Sequence, residues 1–203
     1  MTKKKKPTIS AKHAAEVFRD VLQTRRIDYD DTSKVNMADL WEGLAETFEE
    51  TRIKYFKAGS AVSSKRAGVV TFDNLTTLVV SKETMDACRN GDRFCNFFLA
   101  HEFMHVELGH FEETAKVRNF KMGEIGGQNA ILPADEIEYD ADFAGVAFLC
   151  GVLLLAPNPN ASVIAQKAGC PIDRVKAALR ITQLDAFKQA FAALSHSIRK
   201  IVL

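Results

Sequence analysis

The chain has 203 residues, 47% hydrophobic and 26% charged, with a formal net charge of +1. That is long and apolar enough to bury one core without disulfide staples, and it excludes an intrinsically disordered chain. Four of the positive charges are Lys3, Lys4, Lys5 and Lys6; the remainder is slightly acidic and lacks the domain-wide basic footprint of a nucleic-acid binder.

The lysine run reads as a disordered, solvated tail over residues 1–9. Pro7, Thr8 and a polar helix follow it, not the apolar run of a signal peptide. Ser10 can cap a first helix, with Ala14, Val17, Phe18, Val21 and Leu22 as its apolar stripe to about Arg25. An acidic turn spans Asp28 to Asp31. A second helix is predicted from Asn36 to Thr51, with Leu40, Trp41, Leu44 and Phe48 on one face. Ile53 to Phe56 reads as a strand. Gly68 to Phe72 and Thr76 to Val80 read as a hairpin around Asp73-Asn74, residues that tolerate positive φ. Ser81 can cap a short helix through Cys88, and Asn90-Gly91 breaks the chain.

From Arg93 to Leu108 the sequence is apolar apart from Asn96 and a few motif residues, which predicts a central buried helix with Gly109 at C′. Glu112 to Pro133, with Gly123, Gly126 and Gly127, reads as a mobile excursion or lid. Asp135 fits the N-cap of a second long helix running to about Leu155 and ended by Pro157 and Pro159. Its apolar stretch, Phe143 to Pro157, is too short for a bilayer span and predicts a core helix. Ala161 to Leu203 reads as three short helices. Cys88, Cys95, Cys150 and Cys170 form no C-x-x-C pair and read as free thiols in a reducing compartment. The expected fold is α+β. It is mostly helical, with a small antiparallel sheet packed on the central helix (10–157) and a C-terminal helical segment (158–203). The expected location is the cytoplasm, with no membrane contact.

The central helix carries His101-Glu102-Phe103-Met104-His105, an HExxH motif. Imidazoles four residues apart share a helix face and can take adjacent positions on a tetrahedral zinc ion. Glu102 is then placed as general base for a zinc-activated water attacking a peptide carbonyl. The bland alternative is a pair of hydrogen-bonded core histidines, but two histidines and a glutamate in so apolar a helix are costly without partners.

A third ligand is expected from Asp135-Glu136-Ile137-Glu138-Tyr139-Asp140-Ala141-Asp142. Glu138 and Asp142 share the face that continues into the apolar run, so Glu138 is assigned as ligand and Asp142 as the carboxylate behind a histidine ligand. Glu136 and Asp140 lie about 200° away from Glu138 and are expected to face solvent. His110 is the rival third ligand, or a residue lining the cleft. His13 and His196 are expected at the surface. Zinc is the expected metal, although Mn²⁺ or Fe²⁺ suits the same ligands.

The run from Arg93 through Phe94-Cys95-Asn96-Phe97-Phe98-Leu99-Ala100 into the motif, continuing Val106-Glu107-Leu108-Gly109-His110, resembles the R-F-T-L-A-H-E-L-G-H…L-G-H pattern of the ImmA/IrrE metallopeptidases. Glu138-Tyr139-Asp140-Ala141-Asp142 resembles that family's E-x-E-A-N/D segment, whose first glutamate is the third zinc ligand. The likeness spans about Gly68 to Thr182. Met104, Asn96 and Cys150-Gly151 depart from the family's usual residues without touching a proposed ligand. The resemblance implies a cytoplasmic bacterial or phage-related protease. Its substrates would be helix-turn-helix repressors, cleaved to derepress stress-response or mobile-element genes.

Ser162 to Leu179, with Gly169 between two apolar-periodic stretches, resembles a helix-turn-helix. Arg174, Lys176 and Arg180 are the residues that could face DNA phosphates. A compact helical hairpin has the same pattern, and DNA contact is not the favoured expectation. Two functions of different class therefore stand: a zinc endopeptidase, or a non-catalytic metal-containing regulator that binds a repressor or DNA. An intact Glu102 favours the first, because a purely structural site has no use for a general base.

Overall fold

A computed structural model describes residues 9–30, 33–56, 67–72, 75–110 and 136–201. The lysine tail up to residue 8, the Asp73-Asn74 turn, the Glu112–Pro133 excursion, the Asp135 cap and the side chain of His196 lie outside the described residues.

In chain order the elements are α1 (Ala11–Asp28), α2 (Met37–Thr47), β1 (Thr51–Phe56), β2 (Ala67–Phe72), β3 (Leu75–Ser81), α3 (Lys82–Arg89), α4 (Arg93–Glu107) and α5 (Glu136–Cys150). A 3₁₀ turn at Gly151–Leu155 leads to α6 (Ala161–Ala168), α7 (Ile172–Thr182) and α8 (Asp185–Ile201). The fold is mostly helical with one small sheet, an α+β arrangement. Short polar side chains start the helices by accepting orphan N–H groups: Ser10 from His13, Asn36 from Ala38, Ser81 from Thr84, Asp92 from Cys95, and Asn160 from Ser162 and Val163.

Two expectations need correction. The sheet, ordered β1-β3-β2, is mixed and not antiparallel: β2 and β3 are antiparallel, but β1 runs parallel to β3 with Ile53 opposite Leu78. Strand direction leaves no mark on the apolar pattern, because alternation looks the same either way. The second helix stops at Thr47, not Thr51; Phe48 takes extended dihedrals and is 51% exposed. Its backbone leaves the helical path, so its side chain leaves the helix's buried face.

The central position falls to α4, buried from Cys95 to His105 except at Phe98. Against it pack α5, whose Phe143 to Cys150 contribute mostly buried apolar side chains, and Trp41 of α2, which donates from Nε1 to the Leu99 carbonyl at 3.2 Å. Phe103 meets Trp41 edge-on at 5.8 Å and lies tilted against Phe148 at 5.2 Å between ring centroids. The C-terminal helix closes on the same core: Phe187 and Phe191 of α8 pack edge-on against Phe18 of α1. All four cysteines are free and buried. Among the described residues no helix is long and apolar enough to cross a membrane.

Candidate metal centre

His101 and His105, one turn apart on α4, aim their Nε2 atoms at one point, 3.0 Å from each other. Glu138, on the first turn of α5, brings its carboxylate to the same point, with Oε2 3.2 Å from His101 Nε2 and Oε1 3.6 Å from His105 Nε2. Tetrahedral zinc with donors at about 2.0–2.1 Å holds neighbouring ligand atoms about 3.3–3.4 Å apart. The donor set and its spacing therefore fit a zinc-class ion, and the three residues form a metal-competent group. The histidines are buried, whereas 43% of the Glu138 side chain is exposed, so the cluster opens to the surface on that side. A hydrogen-bonded core pair of histidines needs no such third acidic group at its shared point.

The electrostatics agree with a cation site. Burial disfavours the His101 imidazolium, but pairing with Asp142 and Glu138 outweighs it and raises the ring to about 10. Hydrogen bonding to His101 and His105 drives the Glu138 carboxyl far below the usual carboxylate range, against its own burial. Both shifts have one cause: acidic groups gather around the two rings, as they do at a cation site.

Behind the two imidazoles lie the groups that orient them. His101 Nδ1 is 3.0 Å from Asp142 Oδ1, an ion-pair contact off the ideal hydrogen-bond line. His105 Nδ1 is 2.9 Å from His110 Nδ1. His110 is held there by the end of α4. Gly109, at φ +65°, turns the chain so that its N–H reaches the Val106 carbonyl and the His110 N–H reaches the His105 carbonyl, a Schellman motif. Burial, and then the neighbouring His105, lower His110 to about 4, so it stays neutral at pH 7 and can accept an N–H from His105. His110 therefore stands behind His105, not beside it at the metal point. It also lines an open cleft with His13, Glu16, Asp20 and Asp140.

Glu102 meets the sheet. Its Oε2 accepts the Val69 N–H at 3.1 Å. Burial pushes its carboxyl up from the usual range, with His101 and His105 opposing; a raised carboxyl is the property a general base near neutral pH needs. Because the Val69 N–H points at Glu102, it faces away from β3, so Glu102 sits at the outer edge of β2.

No family model, curated protein or solved structure matches this chain.

Other expected residues take different places. Asp140 was expected to face solvent, but its Oδ2 meets His13 Nε2 at 2.7 Å, because α1 covers that side of α5. His13 is half-exposed, as expected, but it is held by this pair. Lys176 and Arg180 are exposed on α7, whereas Arg174 turns inward onto Asp142. The residue that sequence reasoning missed is Gly145. It lies three positions beyond Asp142 on the same face of α5, and a Cβ there would come 3.1 Å from the His101 nitrogen and 3.3 Å from its Cα. Its bare backbone lets α5 approach α4 at His101. That spacing from Asp142 was the available signal.

Gly145→Val is expected to force the two helices apart. The atoms it would strike are backbone in a buried helix and cannot yield as a side chain would, so the cost is about 1–3 kcal/mol. Urea unfolding reads the stability loss, and a zinc titration reads the accompanying loss of affinity. Wild-type values in both would contradict this role.

Proposed function

We propose that the chain is a zinc-dependent endopeptidase of the ImmA/IrrE type. The carrying observation is the convergence of Glu138 on the His101 and His105 Nε2 atoms, beside a buried Glu102 with a raised carboxyl. Zinc bound to such a set polarises a carbonyl and acidifies water; Mn²⁺ or Fe²⁺ suits the same donors.

The chain's own residues supply the rest. His101, His105 and Glu138 hold the ion, while Asp142 and His110 fix the two rings from behind. Glu102 takes the proton from the attacking water and passes it to the leaving amine. An extended peptide adds to the outer edge of β2, with which no described strand pairs, and main-chain pairing there brings a scissile carbonyl to Glu102. The substrate inferred from the resemblance is a helix-turn-helix repressor, cut in the cytoplasm to release stress-response or mobile-element genes. The non-catalytic alternative, in its DNA-binding form, has lost one of its three contact residues, because Arg174 is committed to Asp142. The test is co-expression with helix-turn-helix repressors: the wild-type chain cleaves its target, and the Glu102→Gln chain does not.

A further inference from the structure

We propose that Arg174, on α7, is a positioning residue of the metal centre, acting through Asp142 on the orientation of His101. This rests on the metal reading above.

Asp142 is only 7% exposed and divides its carboxylate between two partners: Oδ1 lies 3.0 Å from His101 Nδ1, and Oδ2 accepts from Arg174 Nη1. A buried carboxylate needs compensating charge and donors. Once a metal occupies Nε2, His101 is a neutral ligand whose remaining N–H faces Asp142. Arg174 is then the cation that keeps Asp142 in place as acceptor.

The guanidinium is itself fixed. It lies 4.9 Å above the Phe97 ring, and Phe97 in turn sits 6.3 Å from the His101 ring. Arg174 thus grips the first ligand from two sides, by charge through Asp142 and by packing through Phe97. A stacked, hydrogen-bonded guanidinium of this kind is poorly replaced by lysine. The consequence is that α7 belongs to the metal centre, although it lies in the segment resembling a helix-turn-helix.

The test titrates Zn²⁺ alone into the full chain, in competition with a chelator at pH 7. Arg174→Met keeps an apolar stem over Phe97 and removes the charge. It is expected to weaken zinc binding about tenfold or more, the scale seen when an outer partner of a metal ligand is lost. Arg174→Lys falls between Met and wild type, and Lys176→Ala, exposed on the same helix, leaves affinity unchanged. In an Asp142→Ala background, Arg174→Met adds nothing further, because the two act in one chain of contacts. Cobalt substitution reads the same change as altered visible absorption bands. A purely structural arginine would lower stability and leave zinc affinity and the cobalt spectrum alone.

If Arg174→Met folds by circular dichroism and binds zinc within about twofold of wild type, the inference is overturned; so too if the two substitutions add. If Arg174→Met does not fold, Arg174→Lys decides, with weakened binding supporting the proposal and wild-type binding overturning it. Failure of the wild-type chain to take up zinc, or uptake surviving His101→Ala, defeats the metal reading itself and is told apart by that.

Discussion

Replacing Glu102 with glutamine leaves zinc bound and removes peptide hydrolysis. The side chain is buried, and its Oε2 accepts the Val69 N–H at 3.1 Å. Glutamine has the same shape and keeps a carbonyl oxygen for that hydrogen bond, so β2 and α4 stay together. Neither His101 nor His105 changes, and neither does Glu138. What disappears is the ability to take a proton from water, a function that contributes about 10²–10⁴-fold to rate. Zinc content, measured on the purified variant, stays at the wild-type level while cleavage of the co-expressed repressor falls by that factor. Cleavage at the wild-type rate would show that Glu102 is not the base.

The largest expected effect on stability belongs to Asn96. This residue is the exception in an apolar helix face, and it is 4% exposed. Its Oδ1 accepts the Met37 N–H at 2.9 Å, an orphan donor from the first turn of α2. Its Nδ2 donates to the Val35 and Gly169 carbonyls, each at 3.1 Å. One side chain therefore satisfies three backbone groups: two at the start of α2 and one at the end of α6. Asn96→Ala strands all three away from water, and at about 1–3 kcal/mol per buried unsatisfied group, with partial relief from relaxation, the loss is about 3–5 kcal/mol. Asn96→Asp keeps the acceptor but loses the amide donor, and is also destabilising. Urea unfolding measures both; a cost below about 1 kcal/mol for Asn96→Ala would contradict the network.

Local chemistry marked much of this fold before any tertiary contact was known. Ser10 and Ser81 are polar residues just ahead of helical runs, and each caps the helix that follows. Gly109 could be placed because a helix needs a left-handed residue to end in a Schellman motif. The clustering of His101, His105, Glu138 and Asp142 was legible because spacings of four fix a helix face, and inward carboxylates demand a reason to be there.

What was not legible depends on how elements meet. The parallel pairing of β1 with β3 joins segments whose direction the sequence does not encode locally. Arg174 looked like a solvent-facing cation on its own helix, and only the docking of α7 against α5 turns it onto Asp142. Asp140 meets His13 for the same kind of reason: α1 and α5 are far apart in sequence and adjacent in space. Gly145 reads as one more small residue in an apolar run until the His101 backbone is seen against it. Asn96 was visible as an anomaly, but its three partners come from two other parts of the chain.

Calorimetric titration of zinc into the full wild-type chain at pH 7, in two buffers of different protonation enthalpy, tests the metal centre most directly. The expected result is one zinc per chain with release of the proton held on His101, which is raised to about 10. His105→Ala should abolish this uptake. Absence of stoichiometric uptake, or uptake that survives His105→Ala unchanged, would contradict the assignment of His101, His105 and Glu138 as the metal site.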